Sequence, residues 1–201
     1  MFPDDAVLQF LSGCQQETYA GPEVQATAKT AVLPAGYHLD VESESAALRD
    51  AETFLRRALM LDQDMIEARI RLGHVLVARG RPQEAADVLR AADTTKESGE
   101  LQYFHAMFLG QAEEAVGRVD QARDSYARAS TLFPHAQSPY LARAALATRR
   151  GDRATALKET QLLFELPATD REFDDPWWSY RVAQARNADA LLEALFRSEI
   201  R

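Results

Sequence analysis

Between Ile66 and Ala92 the apolar residues fall into two stripes. Ile70, Leu72, Leu76 and Val77 recur at helical spacing. The run Ala78-Arg79-Gly80-Arg81-Pro82 interrupts them, and Ala85, Val88, Leu89 and Ala92 then form a second stripe. Gly80 suits the left-handed position that closes a helix, and Pro82 stands where a following helix tolerates proline. Two amphipathic helices joined by so tight a turn pack antiparallel.

The same plan recurs. Ala51, Ala85, Ala122 and Ala156 begin similar runs at separations of 34, 37 and 34 residues, and Gly80, Gly117 and Gly151 each stand five residues ahead of such an alanine. A period near 34 marks paired helices stacked into a solenoid. The three extra residues of the longer interval fall in the polar stretch 94–100, where insertion costs little.

The segment 101–134 carries Leu109-Gly110, Gly117, Ala122, Tyr126, Ala129 and Pro134, and in this it resembles the tetratricopeptide repeat. In that family small residues let two helices approach, a large residue fills the gap beside them, and a proline ends the second helix. The segment 66–93 matches through Leu72-Gly73, Ala85, Leu89 and Ala92. The segment 137–166 is looser: Tyr140, Gly151 and Ala156 fit, but Ala144 replaces the glycine and Leu163 the last alanine. The resemblance implies an all-α fold, a right-handed superhelical solenoid of antiparallel helix pairs over a single domain, 1–201.

The ends need separate treatment. Residues 46–62 supply a second helix through Ala51, Leu55, Ala58 and Leu61, but the stretch before it reads as turn plus extended chain: Pro34-Ala35-Gly36, then Tyr37, Leu39 and Val41 in alternation. Residues 4–19 are amphipathic and carry Ser12-Gly13, so they are assigned as the first helix of repeat one, with 20–45 as an insertion. An isolated N-terminal helix followed by a linker is the alternative. At the other end, Asp175 and Pro176 suit the N-cap and first position of a helix containing Trp177, Trp178 and Tyr180, and Leu191, Leu192, Leu195 and Phe196 form a last amphipathic run. The segment 175–198 therefore reads as a capping helix pair. Its Trp177-Trp178-x-Tyr180 stretch is similar to the terminus of some bacterial proteins of this repeat class.

Charge and composition narrow the chemistry. Lys+Arg 23 against Asp+Glu 31 leaves −8, which argues against a nucleic-acid partner, and Arg143, Arg149, Arg150 and Arg153 read as a solvated face. Cys14 is the single cysteine, so no internal disulfide forms. The apolar runs are too short to span a membrane. The start of the chain lacks a secretory pattern, so it reads as cytoplasmic, or as exported if an upstream signal is missing. His38, His74, His105 and His135 form no ligand spacing, and no phosphate loop or nucleophile elbow occurs. No metal, cofactor or catalytic residue is assigned. An enzyme of unrecognised type is the remote alternative.

By resemblance, the second, fifth, ninth and twelfth positions of each repeat line a concave surface. From these positions the partner-binding residues are taken to be Phe10, Ile70, His74, Val77, Phe104, Met107, Gln111 and Leu141. The lysine, arginine and asparagine with which chaperone-binding relatives clamp a terminal carboxylate are missing, which disfavours a heat-shock cochaperone. The strip is largely apolar and should be covered. Either a protein or peptide partner covers it, or the insertion does, through Ala31, Val32, Leu33, Tyr37, Leu39 and Val41. The expected role is a non-catalytic interaction scaffold, with a self-associating subunit, such as a homodimer, as the alternative.

Overall fold

The computed structural model describes residues 4–30, 42–167, 175–177 and 180. They form α1 (Ala6–Tyr19), α2 (Pro22–Thr30), α3 (Glu44–Leu61), α4 (Ile66–Ala78), α5 (Pro82–Arg90), α6 (Gly99–Val116), α7 (Val119–Leu132), α8 (Ser138–Arg149) and α9 (Arg153–Glu165). No strand occurs among the described residues. The fold is an all-α helical repeat. The chain divides into two compact units, one of residues 1–68 with 180–201, the other of residues 69–179.

In the first unit α1 packs on α3. A Cβ at Gly13 would stand 2.8 Å from Leu55 Cγ, so the bare backbone of α1 is what lets the helices close. Across the contact α3 buries Ala47, Ala51, Leu55 and Ala58, a narrow stripe at spacings of three and four. Both helices are capped locally: Asp5 accepts from the Leu8 amide at 3.0 Å and Ser43 from the Ala46 amide at 3.3 Å. Between them α2 stands inside the 20–45 segment, anchored by the buried Val24. Pro22 at its first position and Glu23 in its first turn favour a helix start. One buried anchor makes too thin an apolar face for periodicity to signal this helix. The stretch 31–41, with its turn and its apolar residues, lies outside the described residues.

In the second unit α6 packs on α7 and α8 on α9. A side chain at Gly73 would overlap Leu89, and one at Gly110 would stand 2.5 Å from the Tyr126 ring. Ala85, Ala122 and Ala129 are buried in the same seams. The turns close by one device. At Gly117 (φ +88°) the Arg118 amide donates to the Glu113 carbonyl at 2.8 Å and the Gly117 amide to that of Glu114 at 2.9 Å. Gly80 and Gly151 repeat both bonds with φ of +72° and +73°. Only glycine holds this dihedral cheaply, hence its recurrence ahead of each small alanine.

The α8–α9 pair is looser. None of the α9 side chains is fully buried, and Leu157 and Phe164 are 60% and 82% exposed. Of the expected capping pair at 175–198, only residues 175–177 and 180 are among those described.

Candidate functional site

The residues assigned to partner binding occupy different environments. Ile70 and Met107 are 1% exposed and belong to the core of the second unit. Val77 and Gln111 are half-buried. The His74 ring stacks on Phe108 with centroids 4.5 Å apart, and Phe104 meets Tyr103 edge-on at 5.9 Å. Leu141 is 50% exposed. Phe10 lies in the first unit, half-buried.

Much of the α6 surface near these residues is occupied by the chain itself. Trp177 packs on the cluster that contains Met107, Tyr126 and Leu146, where Phe104 also packs, and its ring lies 4.9 Å from that of Phe108. Next to it the buried Asp175 carboxylate accepts from the Tyr103 hydroxyl and the Ser138 amide, both at 2.8 Å, and from the Trp177 amide at 3.0 Å. The bond to Trp177 is a helix cap, in keeping with Asp-Pro at a helix start. The other two reach across 72 and 37 residues. Ser138 is the first residue of α8, whose own cap residue Gln137 supplies no side-chain acceptor, so Asp175 provides it from a distance. Burial, and then the neighbouring Asp175 charge, push the Tyr103 phenol well above the ordinary tyrosine range. It therefore stays a hydrogen-bond donor. In the first unit the Tyr180 hydroxyl donates to Glu17 at 2.6 Å.

Local spacing identifies Asp175 as a helix start but carries no sign of Tyr103 or Ser138. The only hint is compositional, an Asp-Pro-Trp-Trp run too aromatic for a solvated linker.

Other charged groups are consumed internally. Buried Glu113 accepts from Arg90 and from Ser125, each at 2.9 Å. Arg143 pairs with Glu159 at 2.6 Å, and Arg149 pairs with Glu114, so two members of the expected basic cluster are neutralised. A cleft of about 260 Å³ beside Arg143 is lined by Val119, Leu146, Arg150 and Asp152. His105 is buried, its Nε2 2.9 Å from the Leu89 carbonyl. Among the described residues no group of three or more His, Cys, Asp and Glu could hold a metal, and no helix is long and apolar enough to cross a membrane.

Residues 44–108 match the family model of the tetratricopeptide repeat. No curated protein matches the chain. Among solved structures, a MamA RS-1 double mutant is similar with a TM-score of 0.53 and 21% identity, over 59% of this chain and 65% of that one. The chain thus spans just under two thirds of that relative. The crystal structure of MamA gives 0.51 and 18% over 76% and 92%, and MamA MSR-1 gives 0.50 and 20% over 80% and 97%. At these identities the likeness is one of fold. Together with the glycine-closed turns and the small-residue seams, these matches show a tetratricopeptide-repeat segment at residues 44–108 within an all-α helical-repeat fold.

Proposed function

We propose that this chain is a non-catalytic scaffold that binds a protein or peptide along the face formed by the first helices of its repeats. Ile70, His74, Val77, Phe104, Met107, Gln111 and Leu141 mark it in the second unit, and Phe10 marks the first helix of the first unit. Ile70 and Met107 support the face from beneath rather than touching the partner. The observation that carries the reading is Leu141, a large apolar side chain left half in water on α8, the first helix of its pair. Such a residue serves as an anchor when a partner desolvates it.

Site-specific photo-crosslinking in the native cell tests this. Crosslinkers at Leu141 and Gln111 should trap the same protein, and one at the exposed Gln121 on α7 should not. Equal trapping from all three positions would refute the assignment of the face.

Self-association is a second reading, favoured by Phe164 and Leu157 on α9. Sedimentation at two concentrations, with Phe164→Glu as the comparison, tests it: a concentration-dependent dimer that the substitution abolishes would establish this mode.

A further inference from the structure

Asp175, Pro176 and Trp177 sit on the second unit as a bound peptide would. The contacts that hold them do not depend on chain continuity. Asp175 meets the Tyr103 hydroxyl and the Ser138 amide at the start of α8, a helix end that favours a carboxylate. Pro176 is buried beside it. Trp177 lies on Phe108, itself stacked on His74, and on the cluster that also takes Phe104. A carboxylate at one end and an aromatic ring two residues on are thus recognised together.

We propose that Asp175-Pro176-Trp177 is a displaceable internal ligand. The site it fills takes a partner segment of the same chemistry, an acidic residue followed two positions later by an aromatic one. The proposal rests on the reading of the first-helix face as the partner surface and names the chemistry of the partner. A tethered segment competes at an effective concentration on the order of millimolar. An outside segment therefore binds with an apparent affinity reduced by the fraction of molecules in which the site is open. The internal segment acts as a threshold: only a partner presented at high local concentration, or with further contacts, displaces it.

The probe is a fluorescein-labelled peptide with the sequence of residues 172–178, titrated into the full chain. The Asp175→Asn/Trp177→Ala chain should bind it at least roughly tenfold more tightly than the parent, because the competitor is weakened. Adding Tyr103→Phe to that variant should reverse most of the gain. A peptide with Asn and Ala at the two key positions should not bind. A second measurement covers a variant that fails to fold. In Trp178→Phe, Trp177 is the sole tryptophan, and its emission should shift to the red when an unlabelled peptide carrying Asp-Pro-Phe is added in excess. A folded double variant that binds no tighter than the parent, or Trp177 emission that excess peptide leaves unmoved, overturns the proposal. If crosslinks from Leu141 persist in that case, only the internal ligand is lost. If they are also missing, the underlying reading falls with it.

Discussion

Substituting alanine for Gly110 isolates the packing on which the repeat depends. In an exposed helix, Gly→Ala stabilises by about 1 kcal/mol, because alanine leaves the backbone less freedom to lose. Here the added methyl would lie 2.5, 2.6 and 2.9 Å from Tyr126 Cε1, Cδ1 and Cζ, well inside the 3.4 Å at which ordinary contact begins. The ring cannot swing aside freely. It is 1% exposed, and its hydroxyl is held by Glu114 at 2.9 Å. Overfilling of this kind costs about 1–3 kcal/mol, which outweighs or cancels the helical gain. The sign should therefore depend on residue 126. In the parent, Gly110→Ala should be neutral or destabilising by up to about 2 kcal/mol, and in a Tyr126→Leu background it should stabilise by about 1 kcal/mol. Urea unfolding followed by circular dichroism measures both, and the double-mutant cycle gives the coupling directly. Equal effects in the two backgrounds would show that the ring and the missing methyl do not compete for space.

The turns and the buried histidine make two further predictions. Gly117→Ala meets nothing within 4 Å, so its cost is one of backbone alone, roughly 1–2 kcal/mol, and Gly117→Asn should lose less in the same urea assay. Burial holds His105 below the ordinary histidine value, against the opposing pull of the Leu89 carbonyl. The unfolded chain then takes up a proton near pH ~6.5 that the folded chain resists. Stability is whole above that pH and falls as pH drops through the lower folded value, by at most about 1.4 kcal/mol per pH unit. His105→Gln keeps a donor for Leu89 and should flatten that slope. An unchanged pH profile would show that His105 is not the group responsible.

What the sequence determined by itself is the local and periodic part of the structure. Gly80, Gly117 and Gly151 are legible because a left-handed residue admits almost no substitute, and Gly73, Gly110 and Ala122 because a close seam admits only small side chains. Both constraints act on one position at a time and recur with the repeat, so they survive in a single chain. Helix α2 was not legible, because among its described side chains Val24 is the one fully buried and a period needs more than one residue. The residues proposed to face a partner divide in a way no spacing reveals. Ile70 and Leu141 share a repeat position, yet one is sealed in the core and the other stands half in water. Only the tertiary structure decided where Asp175 and Trp177 go. The hydroxyl and the amide that donate to Asp175 lie 72 and 37 residues away, and which amide lacks a local cap or which rings meet Trp177 is known only after the helices have packed.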